Sequence, residues 1–151
     1  MDVQLGLDTF GDVTSDAQGT PLEYADVIRN VVSEAVLADE VGVDAITLGE
    51  HHRDDFAVSA PETGLAGIAT KTSRIILSSG VTVLSSDDPI RVFQRFATLD
   101  ALSEGRAEII VGRGSFTESF PLFGYALEDY QVLFEEKHNL LAELLKETPV
   151  T

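Results

Sequence analysis

The residues most capable of chemistry in this sequence follow one short apolar run. Ile46-Thr47-Leu48 has the character of a buried strand, and Gly49, Glu50, His51 and His52 come directly after it. A carboxylate and two imidazoles supply hydrogen-bonding and acid–base groups that work near neutral pH. Because neighbouring side chains of an extended segment point to opposite faces, the two histidines are not expected to share a metal ion. We predict His51 and Glu50 as catalytic residues and no metal site, while His52 fits a functional or a surface position equally well.

Two further segments combine small residues with groups suited to a planar or anionic ligand. Ser78-Ser79-Gly80-Val81 lies inside an apolar run, where a glycine marks a bulge or a ligand close to the backbone. Gly112-Arg113-Gly114 puts one cation between two glycines, so that a guanidinium and backbone amides can reach an anion such as phosphate. Packing against a helix is the alternative for Gly80, and pairing with an acidic side chain is the alternative for Arg113.

A strand-then-helix pattern that repeats four times must position these residues. The predicted strands are 3–10, 44–50, 74–84 and 107–111, and the predicted helices begin near 20, 59, 88 and 127. Capping signals mark the first three helices: Thr20-Pro21-Leu22-Glu23, Ser59-Ala60-Pro61-Glu62 and Asp88-Pro89. In the third helix the predicted apolar face is Ile90, Phe93, Phe96, Ala97 and Leu99.

Apolar strands that alternate with helices indicate an α/β fold with a parallel sheet covered by helices. The Gly-x-Gly-x-x-Gly fingerprint of an open nucleotide-binding sheet is absent, since Asp8-Thr9-Phe10-Gly11 follows the first strand. We therefore predict a TIM (β/α)8 barrel, of which residues 1–151 form a single half-barrel domain with the first four βα units, because a full barrel needs ~250 residues. The strand ends, including Asp8 as a further cofactor-binding candidate, should then meet at one face.

The composition restricts the possible partners. With 10 basic and 26 acidic residues the formal net charge is −16, which argues against nucleic-acid and anionic-membrane binding. The absence of cysteine excludes disulfides, thiolate metal sites and a cysteine nucleophile. No apolar stretch approaches the ~20 residues of a membrane span, and the N-terminus lacks the pattern of a secretory signal, so we expect a cytoplasmic protein.

Three stretches resemble the bacterial luciferase-like family of flavin-dependent monooxygenases. They are Gly49-Glu50-His51-His52 with Ser59-Ala60-Pro61 after it, Gly80-Val81-Thr82-Val83-Leu84 leading to Asp88-Pro89-Ile90-Arg91, and Leu99-Asp100-Ala101-Leu102-Ser103-Glu104-Gly105-Arg106 followed by Gly112-Arg113-Gly114. The resemblance covers the whole chain but only the N-terminal half of the family's fold. Some luciferases carry a reactive cysteine at the position of Gly112, so this glycine argues against the light-emitting branch.

The resemblance implies a barrel that binds reduced FMN at the carboxyl ends of its strands and uses O2 as co-substrate. Electrons would come from NAD(P)H, directly or through a flavin reductase, and the substrate would be a small organic molecule. By similarity, His51 lies beside the isoalloxazine ring and Glu50 orients neighbouring groups. Gly80–Val81 matches a non-prolyl cis peptide behind the ring, and Arg113, beside Gly112, matches a position near the flavin phosphate or ribityl chain.

Other readings remain open at the level of the sequence. Deazaflavin-dependent oxidoreductases share the architecture, and a flavin-binding or dimerising half-barrel without turnover is also possible. A metal-dependent barrel hydrolase is disfavoured by the histidine spacing. Half a barrel would leave two open sheet edges and an uncovered apolar face. We therefore expect a truncation product or one half of a split gene that forms a homo-oligomer or pairs with the missing C-terminal half.

Overall fold

The computed structural model describes residues 3–146 and 150, and the remainder of the predicted domain 1–151 lies outside the described residues. Its strands are β1 (Gly6–Thr9), β2 (Ala45–Leu48), β3 (Ile76–Ser79), β4 (Thr82–Val83), β5 (Ala107–Glu108) and β6 (Val111–Gly112). Its α-helices are α1 (Tyr24–Val41), α2 (Pro61–Ala69), α3 (Pro89–Ser103), α4 (Ser119–Phe123) and α5 (Tyr130–Leu144), and a 3-10 turn at Leu127–Asp129 precedes α5. The predicted α/β class is confirmed.

The sheet is parallel and its strands follow one another in chain order. β1, β2, β3 and β5 form a four-stranded sheet, and β4 pairs with β6 in a second, two-stranded sheet. The predicted third and fourth strands are each divided in two, because the chain leaves the first ladder after Ser79. There the Ser79 hydroxyl donates to the Ile110 carbonyl and accepts from the Ile110 amide, at 3.0 and 3.1 Å. The Ser79 side chain thus takes the place of backbone hydrogen bonds where the two sheets meet.

The helices cover one face of the sheet and form the core there. Leu48 of β2 and Leu77 of β3 are fully buried against side chains of α1, α2 and α3. The inward face of α3 is Val92, Phe96 and Leu99, whereas Ile90, which we predicted to face the sheet, is 47% exposed. Of the helices in the described residues, none is long and apolar enough to cross a membrane.

The opposite face of the sheet is polar in its central row, contrary to the predicted apolar face. Asp8, Thr47, Ser78 and Glu108 lie side by side in register across the four strands. Thr47 and Ser78 alternate along their strands with the core side chains of Ile46, Leu48 and Leu77, so this row points away from the helices. The Thr47 hydroxyl donates to the Asp8 carboxylate at 2.6 Å.

Only one of the three predicted helix caps has its hydrogen bonds. The Asp88 carboxylate accepts from the backbone amides of residues 90 and 91 at 2.9 and 3.0 Å. The capping boxes of Thr20 and Ser59 are wrong, since α1 and α2 begin after Glu23 and Ala60 without a side-chain cap. Thr20 belongs to a loop instead, in which its backbone amide donates to Asp16 at 2.8 Å.

One arginine joins three elements beneath the strand ends. The guanidinium of Arg106 donates to the backbone carbonyls of Ala69, Thr72, Ile75 and Ser103 and to the Thr72 hydroxyl, at 2.8 to 3.1 Å. Ala69 is the last residue of α2, Thr72 and Ile75 lie between α2 and β3, and Ser103 is the last residue of α3. The planar fork of five donors suits this task. Arg106, which ends the third stretch of the family resemblance, is therefore a structural residue.

Candidate active site

Five of the predicted site residues lie on the wall of one pocket at the carboxyl ends of the strands. The pocket has a volume of about 400 Å³. Glu50, His51, Gly80, Val81 and Arg113 contribute to its wall. Phe10, Val83, Gly114, Ser115 and Tyr130 complete it. The expectation that these strand ends meet at one place is confirmed for these five residues.

The Gly80–Val81 peptide bond is cis, as the resemblance implied. The other two candidates for cofactor binding, Asp8 and Gly112, lie behind this segment. A Cβ atom at Gly80 would stand 2.7 Å from the Asp8 carboxylate, and one at Gly112 would stand 2.6 Å from the Val81 side chain. Asp8 and Gly112 thus lie close to the Gly80–Val81 segment without lining the pocket, and a side chain at position 112 would collide with Val81.

Position 49 is also a glycine for a steric reason. A Cβ atom there would collide with the ring of Phe10 and would stand 2.5 Å from the carbonyl oxygen of Gly80. The absence of a side chain lets the loops after β1, β2 and β3 approach one another at the head of the pocket. This close approach brings Phe10 against the imidazole of His51.

His51 is enclosed by aromatic rings and is only 8% exposed. Its ring centre lies 4.7 Å from that of Phe10, 4.6 Å from that of Phe56 and 4.3 Å from that of Phe116. Its Nδ1 lies 3.2 Å from Oε1 of Glu118, 67 positions further along the chain. The three rings hold the plane of the imidazole, and the contact with Glu118 fixes the direction in which Nδ1 points.

The pairing with Glu118 determines which imidazole nitrogen is available. Burial alone would raise the pKa of Glu118, but hydrogen bonds from its own backbone amide and from His51 outweigh this and lower it. Because a carboxylate only accepts, Nδ1 of His51 donates the hydrogen bond and carries the proton. In the neutral imidazole, Nε2 is then the acceptor that can take a proton. Sequence reasoning missed Glu118, since nothing in its own loop marks it as a partner of His51.

His52 lies in different surroundings, as expected from the alternation of the chain. Its ring packs edge-on against Phe123, with centres 5.3 Å apart, and its Nε2 lies 3.9 Å from Oε1 of Glu50. The Glu50 side chain is 14% exposed. Burial, together with repulsion from Asp87 and Glu62, raises its pKa to about 7 against the opposing effect of Arg95. Glu50 is therefore a carboxyl group that changes charge in the neutral range.

Within the described part of the chain, Arg113 presents a cation without a carboxylate partner. Its Nη1 donates to the side-chain oxygen of Gln131 at 2.7 Å, and its guanidinium lies over the ring of Tyr130, 5.1 Å from the centre. Among residues 3–146 and 150, no carboxylate oxygen lies within 4.0 Å of this guanidinium. The alternative in which an acidic side chain pairs with Arg113 is thus not realised in this part of the chain. Nor do the described residues contain a group of three or more acidic or imidazole side chains that could hold a metal ion.

The amino-acid sequence matches a family described as luciferase-like monooxygenase over residues 8–151. Limonene 1,2-monooxygenase from Rhodococcus erythropolis is 32% identical over 150 residues, which cover 95% of this chain and 39% of that enzyme. The N-acetyl-S-alkylcysteine monooxygenase of Bacillus subtilis is 37% identical over 90 residues, covering 59% of this chain and 27% of that enzyme. The chain thus spans well under half the length of these relatives.

Solved structures share the fold. The oxygenating constituent of 3,6-diketocamphane monooxygenase from a Pseudomonas putida plasmid, solved with FMN, superposes with a TM-score of 0.84 at 19% identity, covering 99% of this chain and 41% of that one. An F420-dependent secondary alcohol dehydrogenase superposes with a TM-score of 0.76 at 22% identity, covering 100% of this chain and 44% of that one. With the family match over residues 8–151, the conclusion is plain: this chain belongs to the luciferase-like monooxygenase family.

Proposed function

We propose that the protein to which this chain belongs is a monooxygenase that uses reduced FMN and O2 to oxidise a small organic substrate. The observation that carries the proposal is the meeting of His51, the cis Gly80–Val81 peptide and the Arg113 guanidinium on one pocket. The family match and the FMN-containing structure with the same fold support the choice of cofactor. Because the chain spans under half of its relatives, the rest of the protein would complete the site.

The residues present suit a flavin. A planar ring needs a flat wall, and the Gly80–Val81 backbone provides one that carries no side chain at Gly80. A phosphate needs a cation, and the free charge of Arg113 offsets the repulsion expected from a chain of net charge −16. In the proposal Gly80 and Val81 lie behind the ring, Arg113 lies near the phosphate or ribityl chain, and Asp8 and Gly112 hold the wall in place.

The bound flavin would supply the electrons that reduce O2, and the side chains of this chain would control protons and water. His51 holds a proton on Nδ1 through Glu118 and leaves Nε2 free to exchange one. The rings of Phe10, Phe56 and Phe116 keep water away from the imidazole. Electrons would reach the flavin from NAD(P)H, directly or through a flavin reductase.

A deazaflavin is the second candidate cofactor. The F420-dependent alcohol dehydrogenase with the same fold supports it. A deazaflavin would make the protein an oxidoreductase without O2 as co-substrate. A pairing partner, either a second copy or the rest of the barrel, belongs to both versions of the proposal.

An anaerobic titration tests the proposal. The purified chain is titrated with FMN, riboflavin and F420, each oxidised and reduced, and flavin fluorescence and absorbance are followed. We expect saturable FMN binding, and we expect Arg113→Gln to weaken FMN at least tenfold while riboflavin, which lacks the phosphate, binds as before. Arg91→Gln, at an exposed position of α3, is the matched control. If a folded chain binds neither FMN nor F420, the proposal is wrong for this chain.

The role of His51 needs a separate measurement. His51→Ala should slow the reaction of bound reduced FMN with O2, followed by stopped-flow absorbance, much more than it weakens FMN binding. An equal loss of both would make His51 a structural residue. Binding without any reaction in the wild-type chain, even with a flavin reductase and NAD(P)H present, would favour a flavin-binding module without turnover.

A further inference from the structure

Glu50 lies between two cavities. Glu50 contributes to the wall of the strand-end pocket and also to the wall of a second cavity of about 220 Å³. This second cavity lies between the start of α2 and the loop before α3, and its polar wall includes His52, Glu62, Ser86, Asp87 and Arg95. In the described residues Glu50 thus connects the site proposed for the flavin with a polar space behind it.

The contacts of Glu50 leave its carboxyl group free to exchange a proton. None of the hydrogen bonds formed by the described side chains involves its carboxyl oxygens, and Nε2 of His52 lies 3.9 Å from its Oε1. That atom is itself buried without a hydrogen-bond partner within the described part of the chain. A separation of 3.9 Å is too long for a direct hydrogen bond but close enough for one water molecule or a small rotation to complete the link.

The surrounding charges favour a proton on Glu50. On the side of the second cavity, Arg95 forms ion pairs with both Glu62 and Asp87, so that two carboxylates already offset its single charge. Glu50 is a third carboxyl group in the same place, and repulsion adds to the cost of its burial. This is why the pKa of Glu50 rises to about 7.

The strand-end pocket presents a different set of charges to Glu50. There the titratable or charged groups on the surrounding elements are His51, with Glu118 behind it, Arg113 and the phenol of Tyr130. Each of these groups already has a partner: Glu118 accepts from His51, Arg113 donates to Gln131, and Tyr130 donates to the carbonyl of Gly114. In the described residues none of these groups forms a hydrogen bond with the Glu50 carboxyl group, so its proton is available to a ligand in the pocket.

We propose that Glu50 carries protons between the strand-end pocket and the second cavity, with His52 as the group that resupplies it. The inference rests on the proposed function, because the flavin reaction is what would consume the proton. In the first step the Glu50 carboxyl releases its proton into the pocket and becomes a carboxylate. In the second step the His52 imidazolium passes its Nε2 proton to that carboxylate and becomes neutral. A rotation of the ring then turns Nε2 toward the second cavity, where it takes a proton from hydronium or from a water molecule whose hydroxide leaves to the solvent. No electrons move in either step.

A titration of the ligand-free chain tests the acid directly. The side-chain carboxyl carbons of glutamate are labelled with 13C, and NMR spectra are recorded from pH 3.5 to 9. We expect one resonance with a midpoint near pH 7, which disappears in Glu50→Gln and persists in Glu128→Gln, a control at an exposed position. Asp87→Asn should lower that midpoint and Arg95→Gln should raise it. A Glu50 midpoint near pH 4.5 would overturn the inference, whatever the flavin results.

The pH profile of the loaded protein tests the transfer. With reduced FMN and O2, we expect the wild-type rate of flavin oxidation to fall as the pH rises through about 7. Glu50→Gln should lose this inflection and about 100-fold in rate, with FMN affinity within twofold of wild type. His52→Gln should keep the inflection but slow repeated turnover.

The failures of the two proposals are distinguishable. If wild-type protein binds no FMN, the proposed function fails while the carboxyl titration still decides whether Glu50 is an acid of the neutral range. If FMN binds but Glu50→Gln retains the wild-type pH profile, the proton-carrying role fails and the proposed function stands.

Discussion

The helix-covered face of the sheet is built from buried apolar side chains, whereas its carboxyl edge carries titratable groups and bare backbone. On the covered face, Leu48 and Leu77 are fully buried among apolar neighbours from three helices. At the edge, only a few residues further along the same strands, stand His51, Glu50 and the bare backbone of Gly80. The first region lowers the free energy of the folded state by removing apolar surface from water. The second places titratable groups where burial is costly.

This difference indicates that the residues of the carboxyl edge lower the free energy of unfolding. The carboxyl group of Glu50 is largely buried and forms no hydrogen bond within the described residues, which favours neither packing nor solvation. Perturbed titration behaviour of this kind is concentrated at functional sites. Substitutions in the two regions should therefore separate stability from binding, and the following three predictions are arranged by the size of the expected effect.

The largest effect is expected in the core. Leu77→Ala should lower the free energy of unfolding by about 2–5 kcal/mol, because it removes buried methyl groups and leaves a cavity. The measurement is urea denaturation followed by circular dichroism, with Leu102→Ala as the control, since that side chain is 50% exposed. FMN affinity per folded molecule should stay unchanged. A parallel loss of FMN affinity would break the proposed separation of the two regions.

At the carboxyl edge of the sheet, a substitution of Glu50 is expected to raise the free energy of unfolding rather than lower it. The folded chain keeps the Glu50 proton up to about pH 7, whereas the ordinary pKa of the group is 4.5. Because the folded-state pKa is raised, this group's contribution to stability is greatest below about pH 4.5 and falls as the pH rises toward 7.

Glu50→Gln removes this fall in stability, because the amide side chain does not ionise. The variant should be more stable than wild type by up to about 3 kcal/mol at pH 8, with the difference vanishing near pH 4. Denaturation of both proteins at a series of pH values measures it. A difference that does not vary with pH would mean that the proton on Glu50 has no part in it.

The smallest effect concerns a helix start that lies between the two regions. Asp88→Ala should cost about 1 kcal/mol, because two backbone amides at the start of α3 lose their acceptor. Ser59→Ala, at the start of α2, is the matched variant and should cost almost nothing, since no side chain caps that helix. Thermal unfolding compares the two. Equal losses would show that the hydrogen bonds are not the source of the effect.

Much of the fold could be predicted from local patterns. The repeated alternation of apolar runs and amphipathic segments predicted a parallel α/β sheet, and the start of α3 at Asp88-Pro89 was correct. The capping boxes at Thr20 and Ser59 were not, because a capping signal competes with other partners. In the first case the Thr20 amide is taken up by Asp16 in the preceding loop. The division of the third strand at Gly80 was only indicated, through its small residues.

The sequence by itself determined the fold class, the family resemblance and five residues of the pocket wall, because these depend on periodicity and on short motifs. The tertiary structure alone decided that Glu118 orients His51 from 67 positions away and that Asp8 and Gly112 stand behind the wall. It also decided the state of Glu50, which depends on Asp87, Glu62 and Arg95. Desolvation and charge are sums over neighbours in space, and no local pattern records which distant residues become those neighbours.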